Sequence, residues 1–240
     1  MPASITGTGA DCALARHAVP YSAVPGPCPK TREENAYIRL VQECRGIVFP
    51  LDAERLRGEW RQRLGFPAEA PLWVEVGCGC GFFAHHLAMT HAHALVLGVE
   101  LRYKRLHQAA RRLPAAANLR IVRYDGLRLA HALGREVDAF FLIYPDPWPR
   151  PRDRDRRLYS QLDRFIPHLR GGGSIHLRTD SERVCAAFVR AAELLGGQAT
   201  AHRLDRTGRA DLSAFDCLFA HLGAAAWEAT ASFAAARLPG

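Results

Sequence analysis

Trp73-Val74-Glu75-Val76 runs without a break into Gly77-Cys78-Gly79-Cys80-Gly81, and an apolar helical pattern from Phe82 to Met89 follows at once. A short run of aromatic and branched residues makes a buried strand, and a helix starting this close to it folds back over the sheet. Glycines at alternate positions allow backbone conformations that side chains forbid, and leave room for a ligand against bare backbone. Such a unit is the first repeat of an alternating α/β chain. Two phosphate sites are excluded by spacing. A dinucleotide fingerprint needs Gly-x-Gly-x-x-Gly, whose third glycine position is Phe82 here, and no Gly-Lys-Ser/Thr follows to make a P-loop. Without a ligand the same stretch is a plain strand–helix turn.

The next two units repeat the theme with acids. Ala94 to Val99 reads as a strand tipped by Glu100, and Leu119 to Tyr124 as one tipped by Asp125-Gly126. An acid at the tip of the second strand is where a ribose diol is gripped. Asp125 can accept from an exocyclic amine such as that of adenine. Gly-x-Gly-x-Gly with an acid two residues ahead is the pattern of S-adenosylmethionine sites, where Glu75 reaches the cationic side of the cofactor directly or through water. Each acid alone could be a helix N-cap, since helical patterns follow all three. Together, beside one glycine turn, they outline an adenosine-shaped pocket. The intervening helix, Leu101 to Leu113, carries Arg102, Lys104, Arg105, Arg111 and Arg112, to which no role is assigned.

A fourth strand, Val137 to Ile143, ends in Tyr144-Pro145-Asp146-Pro147-Trp148-Pro149-Arg150, followed by Pro151-Arg152-Asp153-Arg154-Asp155-Arg156-Arg157. Prolines on both sides present Asp146 stiffly, because each fixes its own φ and restricts the residue before it. The indole can stack on a flat ring and the guanidiniums can hold phosphate. Beyond the loop, Leu158 to Leu169 reads as a helix stopped by Gly171-Gly172-Gly173. Ser174 to Thr179 reads as a strand tipped by Asp180, and Ser181 to Leu195 as a helix. Gln198 to Leu204 and Ala224 to Ala236 read as a final hairpin, with a short helix through Leu212 to Phe219 returning to the strand tips. This alternation predicts a doubly wound, mostly parallel sheet.

Residues 1–30 carry Pro20, Pro25, Pro27 and Pro29 among small residues and read as a disordered N-terminal segment; 31–69 read as a helical N-terminal cap, and 70–240 as the α/β domain. The net charge of +8 favours a polyanionic partner, although the basic residues are nearly all arginine in an alanine-rich chain, as GC-rich coding produces. The seven cysteines are scattered and lack metal-site spacing, so free thiols, no metal and a reducing cytoplasm are expected. No apolar run is long enough to span a bilayer, and no membrane association is expected.

The set Glu75-x-Gly-x-Gly-x-Gly81, Gly98-Val-Glu100, Asp125-Gly, Pro145-Asp-Pro-Trp-Pro-Arg150, Arg156-Arg157-Leu158 and Thr179-Asp180 resembles the bacterial tRNA (guanine-N7)-methyltransferase family. The likeness spans roughly residues 70–235, with Pro-Asp-Pro-Trp-Pro its most specific part. It implies the class I methyltransferase fold, a Rossmann-like doubly wound seven-stranded sheet with the last strand antiparallel. It implies S-adenosyl-L-methionine as cofactor, held at Glu75, Gly77, Gly79, Gly81, Glu100, Asp125 and Asp146, and tRNA as partner. Asp146 takes the catalytic, guanine-facing position. Arg150 stands where the family has a substrate-contacting lysine, Asp180 matches a substrate-binding aspartate, and Ser213-Ala-Phe-Asp216 replaces a substrate-binding Thr-x-x-Glu. The family's basic run is broken here by Pro151, Asp153 and Asp155. A monomer or homodimer is expected. Competing readings are methylation of another RNA position, methylation of a small molecule, and a non-catalytic RNA-binding protein on the same fold.

Overall fold

The computed structural model describes residues 37, 40, 41, 48, 49, 61, 65, 67, 69–126, 133, 136–146, 150 and 157–234. The expected segment 1–30 and most of the expected cap lie outside the described residues. Among the described residues eight strands form one sheet: β1 Val48–Phe49, β2 Leu72–Val76, β3 Leu95–Glu100, β4 Leu119–Arg123, β5 Val137–Ile143, β6 Leu169–Thr179, β7 Gln198–Arg203 and β8 Trp227–Ser232. Their order is β1-β4-β3-β2-β5-β6-β8-β7. The seven expected strands are all present. The two-residue β1, from the stretch read as purely helical, adds an eighth at the edge, parallel to β4. The last strand, β8, runs antiparallel between β6 and β7.

Alternation along β5 shows how the sheet is held. Phe140 and Leu142 belong to one apolar cluster with Val74, Leu97 and Ile175, while Phe141 and Ile143 belong to the other with Phe83, Val96 and Ile121. Successive side chains of a strand point to opposite faces, so an unbroken apolar run requires cover on both. Fully burying each such side chain contributes about 1.5–3 kcal/mol. The cover comes from helices α1 Phe82–Thr90, α2 Tyr103–Arg112 and α3 Glu182–Leu194; α4 Ala214–His221 lies in the connection between β7 and β8. Ser181 caps α3 by accepting from the Val184 amide, and Ser213 with Asp216 forms a reciprocal capping box on α4.

Two expectations need correction. The helix read over Leu158 to Leu169 is instead three successive 3-10 turns, Leu158–Ser160, Leu162–Arg164 and Ile166–His168. The buried residues Tyr159, Leu162, Phe165 and His168 recur every third position, which is the 3-10 period rather than 3.6. The glycines after it do not stop an element before β6 begins; they lie inside β6. Val137 pairs with Leu169 and Ala139 with Ser174, so β6 carries extra residues opposite β5, with Gly172 at φ 84.

The chain passes from β2 outward through β3 and β4, then crosses back to place β5 on the other side of β2. The crevice over the C-terminal ends of β2 and β5 is therefore the point where the strand order reverses, the position at which open α/β sheets take ligands.

Candidate active site

At that reversal point β2 ends in the glycine turn. The Gly77 and Cys78 amides both donate to the Val99 carbonyl, at 2.8 and 2.9 Å, tying the turn to β3. Gly77, Gly79 and Gly81 all have left-handed φ, at 76°, 57° and 73°. A Cβ on Gly77 or Gly79 would meet nothing within 4 Å, whereas one on Gly81 would stand 2.5 Å from Ile121 Cδ1. Gly81 is thus required by packing, and Gly77 and Gly79 leave a bare, open backbone floor.

Acids surround this floor. Glu75 is buried beneath it at 3% exposure, and its carboxylate accepts from the Ala84 amide at 2.8 Å in the first turn of α1. Burial pushes its pKa up to about 8; the Ala84 bond pulls against this, the charge of Glu100 adds to it and that of Arg178 opposes it. Glu100, the last residue of β3, accepts from the Gly79 amide at 3.0 Å through one oxygen and the Arg102 amide at 2.8 Å through the other. A carboxylate has about four acceptor sites, so both oxygens retain capacity for further donors. Asp125 is exposed just past β4. Gly126 after it packs so closely that a Cβ would lie 2.2 Å from Val76 Cγ1, which seats the Asp125 turn against the end of β2.

Asp146 is exposed beyond β5, with Arg102 Nη2 3.9 Å from its Oδ2. That contact links the tip of β5 to the Glu100 end of β3. Four of the expected acids, Glu75, Glu100, Asp125 and Asp146, therefore lie around one crevice with the glycine floor. Asp180 is exposed at the end of β6, and Arg150 is exposed with its carbonyl accepting from Arg157 Nη2 at 3.2 Å. Trp148 and residues 151–156 lie outside the described residues. Ser213 and Asp216 are buried, at 5% and 0% exposure.

Two residues given no role on sequence grounds stand out behind the crevice. Arg178, 1% exposed, is held by Asp211, Asp216 and Glu228 at 2.8, 2.9 and 2.7 Å. Tyr144 has φ 50 and donates its hydroxyl to Asp216 Oδ1 at 2.6 Å. The available signal was Arg178 itself: an arginine inside an interior strand of the sheet demands buried acids somewhere in the chain.

A carboxylate-ringed crevice over a bare glycine turn fits a ligand with hydroxyl, amine and cationic groups. Among the described residues no His/Cys/Asp/Glu group could hold a metal ion, and no helix is long and apolar enough to cross a membrane. Comparison with solved structures gives methyltransferases of the same fold. The 16S rRNA methyltransferase KamB superimposes with a TM-score of 0.56 at 14% identity, covering 79% of this chain and 99% of that one. The 16S rRNA (adenine(1408)-N(1))-methyltransferase from Catenulisporales acidiphilia gives 0.52 at 19% identity, covering 79% and 95%. Curated relatives are nearer in sequence. The tRNA (guanine-N(7)-)-methyltransferase of Bdellovibrio bacteriovorus is 38% identical over 133 residues, which is 52% of this chain and 63% of the relative. That of Brevibacillus brevis is 34% identical over 133 residues, 53% of this chain and 61% of the relative. The chain thus spans about three fifths of the length of these relatives. A family model described as "Putative methyltransferase" matches residues 69–209, more than half of the chain and the whole of the crevice up to Asp180. The chain belongs to this methyltransferase family.

Proposed function

We propose that the protein is an S-adenosylmethionine-dependent tRNA (guanine-N7-)-methyltransferase. The observation that carries this reading is the convergence of Glu75, Glu100, Asp125 and Asp146 on the open floor of Gly77 and Gly79, in a chain similar to enzymes bearing that name. The crevice suits the cofactor: Glu75 lies on the side for its cationic group, Glu100 for the ribose hydroxyls and Asp125 for the adenine amine. When bound, S-adenosylmethionine supplies an electrophilic sulfonium methyl.

Guanine N7 already carries a lone pair, so no residue of the chain has to remove a proton from it. Positive charge grows on the purine as N7 is methylated. Asp146, exposed at the rim, can accept from the ring N1–H or the 2-amino group, which orients the base and offsets that charge. Arg150 and Asp180, both exposed, serve in this reading as contacts to the rest of the nucleotide. N7 of a guanine within a folded tRNA must be exposed or flipped before it can be reached.

Nucleoside analysis of tRNA incubated with the protein and S-adenosylmethionine tests the reading. The expected product is 7-methylguanosine. A methyl group on another atom moves the protein to a different RNA methylation, and cofactor binding without any RNA product rejects tRNA as substrate.

A further inference from the structure

A closed ring of three hydrogen bonds lies directly behind Asp146. The Tyr144 amide donates to the Arg178 carbonyl at 2.7 Å. The Tyr144 hydroxyl donates to Asp216 Oδ1 at 2.6 Å, and Arg178 Nη1 donates to Asp216 Oδ2 at 2.9 Å. Both ends of the circuit return to residue 178, once through its backbone and once through its side chain. Tyr144 is the one non-glycine residue with positive φ among the described residues. A tyrosine holds that conformation only where its surroundings enforce it, and strain of this kind gathers at functional sites. Here it occupies the step between β5 and Pro145-Asp146, so it sets the direction in which the chain leaves the sheet.

The partners of Tyr144 are themselves fixed. Asp216 Oδ2 also accepts from the Ser213 amide and hydroxyl, both at 2.8 Å. The Tyr144 ring sits 5.7 Å from Phe215 and 5.2 Å from Phe219, the residues either side of one turn of α4. Arg178 Nη2 is shared by Asp211 and Glu228. Asp216 has no exposed surface, so a substrate cannot reach it in this arrangement, and the atoms that surround it lead to Tyr144.

We propose that Tyr144 is a positioning residue that aims Asp146, and that Asp216 with Ser213 acts through Tyr144. The proposal rests on the reading that Asp146 touches the guanine. Tyr144→Phe keeps the ring and removes the one hydroxyl that closes the circuit. The expected result, measured well below the melting temperature, is a kcat about tenfold lower with cofactor Kd and the KM for tRNA within about twofold of wild type. Asp216→Asn should lose a similar factor, and the double variant should lose no more than the worse single, because both act through one contact. If Asp216→Asn does not fold, Tyr144→Phe decides alone. Hydrogen exchange reads the same circuit without turnover: residues 144–150 should exchange faster in Tyr144→Phe while 72–84 are unchanged. Wild-type kcat in Tyr144→Phe, additive losses, or a parallel fall in cofactor affinity overturns the proposal. A wild-type protein that makes no 7-methylguanosine overturns the reading of Asp146 instead, and the exchange result still decides whether Tyr144 fixes the loop.

Discussion

The Glu75 carboxylate reaches from β2 to the Ala84 amide at 2.8 Å, so the acid beneath the glycine floor also caps the helix that follows it. Its burial raises its pKa to about 8 from an ordinary 4.5. Between those values the folded protein keeps a proton that the unfolded chain releases, so this residue alone makes stability fall as pH rises through that window. A cation bound against Glu75 favours the ionised form and expels the proton. S-adenosylmethionine should therefore bind more tightly as pH rises, by up to about tenfold per unit below pH 8 and little above it. Calorimetry at pH 6, 7 and 8 in two buffers of different ionisation enthalpy reads both the affinity and the released proton. Glu75→Gln should flatten the profile; an unchanged slope in that variant would remove Glu75 from the cationic side of the site.

Gly79 and Gly81 separate binding from folding. Both have left-handed φ, so alanine is strained at either, but only at Gly81 does the new methyl meet Ile121 and Leu113, at 2.5 and 2.9 Å. Gly81→Ala should lower unfolding stability by about 2–4 kcal/mol, from left-handed strain and overpacking together. Gly79→Ala should cost about 1–2 kcal/mol and weaken cofactor binding more than Gly81→Ala does among the folded molecules. Denaturant titration paired with cofactor Kd distinguishes the two, and equal effects of both substitutions on both measurements would contradict the open floor.

Most of the parallel core was legible because β2, β3, β4 and β5 are short runs rich in apolar residues that lead into glycine, proline or an acid, and because helical patterns follow β2 and β3. The crevice was legible for a related reason: Glu75, Glu100, Asp125 and Asp146 each sit at or just past the end of such a run, and parallel strands bring those ends to one edge. The segment from Leu158 was misread because Leu158, Leu162, Phe165 and Ile166 satisfy a helical pattern, while the three-residue set Tyr159, Leu162, Phe165 and His168 is the one that is buried. In the Arg178 cluster the arginine was visible in the sequence, but its partners were not. Asp211, Asp216 and Glu228 lie 33, 38 and 50 residues further along the chain, and only the return of β8 beside β6 brings them together.

That cluster sets a stability prediction. Arg178, Arg206 and Arg209 face Asp211, Asp216 and Glu228, three cations against three anions. Removing one member of a buried pair leaves an uncompensated charge, so Arg178→Met should destabilise by about 3–5 kcal/mol in urea unfolding at pH 7. The hydrogen bond from Arg209 holds the Asp211 carboxyl below the ordinary carboxylate range; burial opposes this, and Arg178 assists. A depressed folded pKa contributes stability that is complete above the unfolded value of about 4 and is lost as pH falls below it. The deficit of Arg178→Met should therefore shrink from pH 7 towards pH 3. A loss under about 1 kcal/mol at neutral pH would mean that the cluster contributes little to folding.

Asp146→Asn isolates the charge at the rim. Asparagine keeps the volume but exchanges one acceptor oxygen for a donor, which faces the N1–H and 2-amino donors of guanine unfavourably. A charge-assisted hydrogen bond contributes about 1.5–3 kcal/mol, and tenfold in rate corresponds to about 1.4, so turnover should fall by about ten- to a hundredfold. The substitution also dissolves the contact with Arg102, but that pair is 3.9 Å apart with both side chains more than half exposed. Exposed pairs of that kind contribute little, so folding and cofactor affinity should change little. Single-turnover methyl transfer to unmodified tRNA, with cofactor Kd measured on the same preparation, checks both halves. Equal activity in the variant would sink the assignment of Asp146. A large loss of cofactor affinity with little change in the saturated rate would move Asp146 from the guanine to the cofactor side of the crevice.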